Sequence, residues 1–208
     1  MLRSAAKNFD SVTVVTDPAT YDGILEEMRA KSSEEILEAF GPFMGKVMPI
    51  AKGLFLVPVI DGKVLTGGYY ELMDKGEIKD IPYMVGCTKN DIMVAPDAKL
   101  PDENPLYGGS MAFSLKLEET GKAPAYVYYF TRDLPGDDQG AWHSSELWYM
   151  MGTMERCWRP WTEGDLALSE KMLDYWTSFM KTGDPNSSEL PRWEPCSKEK
   201  PFVMEFDV

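Results

Sequence analysis

Apolar positions recur at two spacings along the chain, first helical and then alternating between helix and strand. Tyr21, Ile24, Leu25 and Met28 follow Asp17-Pro18, an N-cap residue ahead of a proline at the first helical position, and predict a short helix. Ser32-Ser33-Glu34-Glu35 has the form of a capping box, with Ile36, Leu37 and Phe40 as the apolar side of a second helix that Gly41-Pro42 is expected to stop. From Leu54 to Ile60 the chain is apolar but holds Pro58 and closes on Asp61-Gly62, which predicts an extended segment and a turn rather than a central strand.

A second pattern begins at Ile81. The nearly continuous apolar run from Ile81 to Cys87, closed by Lys89-Asn90-Asp91, fits a strand buried on both faces of a parallel sheet. Met111, Phe113, Leu115 and Leu117 predict a helix over Ser110 to Thr120, and Ala125 to Phe130 is rich in the Val, Tyr and Phe that strands favour. Strand, helix, strand is the crossover unit of α/β folds. After the loop Gly136-Asp137-Asp138-Gln139-Gly140, the run Leu147, Trp148, Met150, Met151 predicts a short helix. A longer one follows, opened by Thr162 with Asp165 three positions on, carried by Leu168, Met172, Tyr175, Trp176 and Phe179, and ended by Gly183-Asp184-Pro185. Residues 186–201 read as surface loop on composition, and Phe202 to Phe206 as a last short strand.

Composition narrows the class. The chain of 208 residues is 44% hydrophobic and 26% charged, ordinary usage for a folded, soluble protein organised as one large domain. The net charge of −13 disfavours nucleic acid and anionic membrane surfaces as partners. Cys87, Cys157 and Cys196 are an odd number without a C-x-x-C pair, which fits buried thiols better than a disulfide framework or a zinc site. Neither an export signal nor a membrane span is legible, so the reading is a cytoplasmic protein.

His143 is the one histidine, so imidazole acid–base chemistry near neutral pH must pass through it. It lies in the loop beyond the carboxyl end of the Ala125 to Phe130 strand, the edge where α/β sheets collect ligand and catalytic groups. Asp91 follows the neighbouring strand at the same edge, although Lys89-Asn90-Asp91 equally fits a solvated turn. A carboxylate bonded to one ring nitrogen would leave the other free to accept a proton. The nucleophile is what the pattern lacks. Gly108-Gly109-Ser110-Met111-Ala112 misses the second glycine of G-x-S-x-G, and Ser110 reads as a helix N-cap. Asp133, Asp137 and Asp138 read as a solvated acidic loop rather than a metal site. Trp142, Trp148 and Met151 fit an apolar pocket near His143 and fit packing equally well.

The segment Gly140-Ala141-Trp142-His143-Ser144-Ser145-Glu146-Leu147 resembles the G-x-x-H-x-x-E-[LI] motif of type-B carboxylesterases, the family of cholinesterases and para-nitrobenzyl esterases. Ile81 to Asp91 resembles the strand and K-D-E segment of that family, with Asp91 and Ile92 where it usually carries Glu and Gly. Pro58-Val59-Ile60-Asp61-Gly62, Arg159-Pro160-Trp161-Thr162, Tyr175-Trp176 and Lys181-Thr182-Gly183-Asp184-Pro185-Asn186 extend the likeness from Pro58 to the C-terminus. The resemblance implies the C-terminal portion of an α/β-hydrolase fold, a partial and mostly parallel sheet flanked by helices. Residues 1–57 would then be a helical lead-in and residues 58–208 the part that bears the acid and the histidine.

It further implies His143 as the catalytic histidine and Asp91 as the catalytic acid of a serine esterase acting on a small-molecule carboxylic ester, with no cofactor and no metal. The nucleophile and oxyanion hole of that family belong to a front half, so this chain alone is expected to be inert. An open sheet edge and apolar surface are expected to recruit that half or a second copy. The alternative is a binding module that keeps the scaffold without catalysis.

Overall fold

A computed structural model describes residues 18–51, 60–92, 94–95 and 97–208. The chain divides into two compact units, one ending at Thr66 and the other spanning Gly67–Val208. The expected N-cap Asp17 and the segment around Pro58 lie outside the described residues.

In the first unit, α1 (Tyr21–Arg29) follows a 3-10 turn over Pro18–Thr20, and Ile24 is its buried position. The capping box forms ahead of α2 (Ser33–Ala51): the Glu35 N–H donates to Ser32 Oγ at 3.2 Å, and the Ser32 N–H donates to the Glu35 carboxylate at 2.9 Å. The expected stop at Gly41-Pro42 does not occur, because α2 continues to Ala51. A proline removes one N–H bond and crowds the turn before it, which costs about 3 kcal/mol but does not forbid the next turn. Ile36, Leu37 and Phe40 are exposed. Asp61-Gly62 makes the expected turn: one Asp61 carboxylate oxygen accepts from the N–H groups of Lys63, Val64 and Leu65, and Gly62 takes φ +71°.

The second unit is built on three parallel strands in the order β1 (Met84–Thr88), β2 (Tyr126–Phe130), β3 (Met204–Phe206). Alternate residues of a strand face opposite sides, so Val85 packs with Phe113 and Leu117 of α4 (Pro105–Glu119) while Tyr126, Tyr128 and Phe130 face the opposite layer. That layer consists of α5 (Leu147–Met150) and α6 (Glu163–Thr182), with Leu168, Met172 and Tyr175 buried against the sheet. A small helix, α3 (Tyr69–Asp74), adds Met73 to the α4 side. The capping box of α6 forms as the sequence predicts, and Gly183 ends the helix at φ +76°.

Two expectations change. Residues 186–201 hold no helix or strand, yet Trp193 and Cys196 are fully buried. Trp193 Nε1 donates to the Val127 carbonyl at 3.2 Å, and the Cys196 N–H donates to the Ala125 carbonyl at 2.8 Å, so this segment closes the core along β2. α4 begins five residues before Ser110. Its cap is Asn104, whose Oδ1 accepts from the Leu106 and Tyr107 N–H groups with Pro105 at the first helical position. Among the described residues, no helix is long and apolar enough to cross a membrane.

Candidate functional site

The site forms where the loops after β1 and β2 meet. Immediately after β1, the Asp91 carboxylate folds back on its own turn, accepting from the Thr88 N–H at 3.0 Å and the Ile92 N–H at 2.7 Å. The loop after β2 returns alongside it. The Asn90 N–H donates to the Ala141 carbonyl at 2.9 Å, the Ala141 N–H donates to Asn90 Oδ1 at 3.0 Å, and Asn90 and Trp142 form a parallel bridge. Gly140, at φ +69°, permits this approach, since a Cβ there would collide with Asn90 Oδ1. Ser144 turns the chain again at φ +70°, the one non-glycine residue with positive φ among the described residues.

These two loops bring together residues 52 positions apart in sequence: His143 Nδ1 lies 2.6 Å from Asp91 Oδ1. The Asp91 side chain is 6% exposed and the His143 side chain 55%. Burial pushes the Asp91 carboxyl up, but the N–H groups of Thr88 and Ile92 and the imidazole outweigh it, so it lies below the usual carboxylate range. An ionised carboxylate only accepts, so Nδ1 carries the proton and donates to Asp91. In the neutral ring this tautomer leaves the lone pair on Nε2, and more than half of the side chain is exposed. Among the described residues, Asp91 is the one side-chain hydrogen-bond partner of the His143 ring.

The other candidates lie elsewhere. Ser110 is inside α4, where its hydroxyl donates to the Leu106 carbonyl at 2.8 Å, so it neither caps the helix nor meets His143. Cys87 is buried, and burial followed by the negative charges of Asp91 and Glu146 pushes its thiol up to about 12. Asp133 pairs with Lys89 at 3.0 Å and Asp137 with Arg159 at 2.7 Å, and no group of three metal-type ligands forms among the described residues. Trp142 and Trp148 pack against the core, while Met151 is exposed. A cleft of about 400 Å³ does open at the same sheet edge, but it is lined by Lys89, Arg132, Asp133 and Glu205 rather than by His143.

Sequence reasoning passed over Asn90, Gly140 and Ser144, which set the two loops in register. It also left Glu146 without a role, although that residue is the glutamate of the histidine motif. The usable signals were a side-chain acceptor beside the acid and a glycine three residues before the histidine.

The carboxylesterase family matches residues 105–208. A pyrethroid hydrolase of Rattus norvegicus, Ces2e, is 32% identical over an alignment covering 90% of this chain and 42% of that protein. A thermophilic PNB esterase superposes with a TM-score of 0.63 at 20% identity, covering 89% of this chain and 47% of that one. A carboxylesterase of Geobacillus stearothermophilus superposes with a TM-score of 0.62 at 20% identity, covering 88% and 46%. The chain thus spans less than half the length of each of these proteins. Its parallel strands with helices on both faces are part of an α/β-hydrolase fold. With the family match reaching from α4 through β3, across both strands that bracket the histidine loop, the chain belongs to the carboxylesterase family.

Proposed function

We propose that this chain carries the acid and the imidazole of a serine carboxylesterase, Asp91 and His143, and that the attacking hydroxyl comes from outside these 208 residues. The observation that supports this reading is the 2.6 Å contact from His143 Nδ1 to Asp91 Oδ1, which leaves the lone pair on Nε2 in a side chain more than half exposed. Nε2 takes the proton of a serine as its oxygen attacks the ester carbonyl carbon. The imidazolium, held by ionised Asp91, passes that proton to the departing alkoxide. Nε2 then deprotonates the water that attacks the acyl-serine, and the same proton returns to the serine oxygen. Asp91 is one methylene shorter than the glutamate usual at this place, and the Asn90–Ala141 bonds hold the two loops together beside it.

The 208-residue chain alone is expected to show neither burst nor turnover with a nitrophenyl ester, and no labelling by a serine-directed phosphonate. Expressed together with a segment that holds G-x-S-x-G in its own gene, it is expected to hydrolyse the ester and to lose roughly 10³-fold or more in kcat on His143→Ala. Phosphonate-sensitive turnover by the chain alone, or undiminished activity in the His143→Ala protein, overturns the reading. A gene without such a segment favours a non-catalytic binding module on the same scaffold.

A further inference from the structure

Asn104 is 1% exposed and works through both ends of its amide. Its Oδ1 caps α4, and its Nδ2 donates to the Thr88 carbonyl at 2.9 Å, 16 residues back in the chain. Thr88 closes β1 and is fully buried. Successive residues of a strand turn their backbone polar groups to opposite sides. The Lys89 N–H already donates to the Phe130 carbonyl of β2, so the N–H and carbonyl of Thr88 point away from that strand. Both find partners elsewhere: the N–H donates to Asp91 Oδ2 at 3.0 Å, and the carbonyl accepts from Asn104. Asp91 Oδ1 then meets His143 Nδ1 at 2.6 Å. Three hydrogen bonds in series therefore tie the start of α4 to the imidazole.

The cap alone does not explain the amide. Ser, Thr and Asp serve as well or nearly as well at that place by offering an acceptor. Asn is the one good cap that carries its acceptor and its donor on separate atoms. We propose that Asn104 is a positioning residue for the acid: by holding Thr88 from the α4 side, it keeps the Asp91 carboxylate at the ring and the ring proton on Nδ1. Without that donor, Thr88 would keep a buried carbonyl unpaired, and the N–H that grips Oδ2 would loosen. What this does for the proton shuttle rests on the proposed esterase reading, whereas the placement of the acid does not.

The chain has one histidine, so the ring nitrogen resonances of isotope-labelled protein report a single site in the 208-residue chain. In alkaline solution, where the imidazole is neutral, the two nitrogen shifts give the share of each tautomer. The parent is expected to be the Nδ1–H form. Asn104→Ser keeps an acceptor for the cap but is too short to reach the Thr88 carbonyl. It is expected to move the tautomer ratio roughly 10-fold or more toward Nε2–H, as one bond to a charged group is worth. Ser114→Ala is the control for general loosening: it removes a buried hydroxyl from the same helix, one bonded to Ala125 and Cys196, and is expected to leave the ratio unchanged. Unmoved shifts in Asn104→Ser, or an equal move in Ser114→Ala, overturn the proposal. Should Asn104→Ser not fold, Asn104→Asp, which keeps the shape and the cap but not the donor, is read in its place, and unmoved shifts there overturn it equally. A parent found in the Nε2–H form overturns it together with the Asp91–His143 geometry beneath it. No turnover is read, so an unmoved ratio leaves the esterase reading standing, and an inert chain leaves the positioning testable.

Discussion

The ring of Tyr128 occupies the space that a side chain on Gly86 would need. A Cβ on Gly86 would lie 2.5 Å from Cγ and Cδ1 of Tyr128 and would also meet its carbonyl oxygen. Neither group can give way, because the ring is wedged against Trp176 and Phe206 and the carbonyl belongs to the paired strand. Gly86→Ala is therefore expected to destabilise by about 1–3 kcal/mol, the range for overpacking a filled core. Gly109, inside α4, has nothing within 4 Å of its Cβ position. Gly109→Ala is expected to stabilise by about 0.5–1 kcal/mol through helix propensity and the unfolded chain's entropy. Urea unfolding of the two variants checks the opposite signs, and a neutral Gly86→Ala would show that β1 and β2 are less tightly coupled than their geometry implies.

Elements whose signals are local and redundant were legible in the sequence. For α6, Thr162 and Asp165 mark the start, Gly183 the end, and the aromatic stripe the buried face, three independent cues that agree. β1 and β2 announced themselves by apolar runs, and the placement of Asp91 and His143 at their carboxyl ends followed. What failed was where one residue type serves two purposes. Ser110 is a common cap residue, but in α4 it sits in the interior, and the Gly108-Gly109 pair ahead of it hid the true start at Asn104-Pro105. Pro191 and Pro195 marked residues 186–201 as surface loop, yet Trp193 between them is fully buried, because a tertiary partner, the Val127 carbonyl, satisfies its indole N–H. The pairing of His143 with Asp91 depends on Asn90 and Gly140 meeting across loops, a contact that no spacing encodes.

The three thiols are expected to differ sharply in reactivity. Cys87 is 3% exposed and its thiol is pushed up to about 12, first by burial and then by the charges of Asp91 and Glu146. Cys196 is fully buried and is likewise pushed up, by burial and then by Glu118. Cys157 is half-buried at the end of a 3-10 turn. A chromogenic aromatic disulfide is therefore expected to titrate one thiol in the native chain and three in denaturant. Rapid reaction of a second native thiol would place Cys87 or Cys196 within reach of solvent, against their burial here.

Acid stability is expected to depend on Asp165, the most heavily bonded carboxylate in the second unit. It is fully buried and takes Arg132 Nε at 2.7 Å and Nη2 at 3.2 Å, the Tyr149 hydroxyl at 2.8 Å, and both the hydroxyl and N–H of Thr162, at 2.7 and 2.8 Å. Burial pushes this carboxyl up, but Arg132, Thr162 and Tyr149 together hold it down at about 2, against an ordinary value of 3.8. A folded value below the unfolded one means the contribution is complete above about pH 4 and is lost as pH falls toward 2. The linked stability is on the order of 1–2 kcal/mol once partial solvent screening of Arg132 is allowed for. Asp165→Asn removes the charge and strands Arg132, so at neutral pH it is expected to cost about 3 kcal/mol or more. Asp91 and Asp137 titrate in the same sense, so the informative quantity is the difference between parent and variant rather than either curve alone. That difference should shrink as pH falls from 4 to 2, because the parent's carboxyl becomes neutral and resembles the amide. A gap that stays constant over this range would mean that the Arg132–Asp165 pair acts through shape alone, with its charge contributing nothing to the fold.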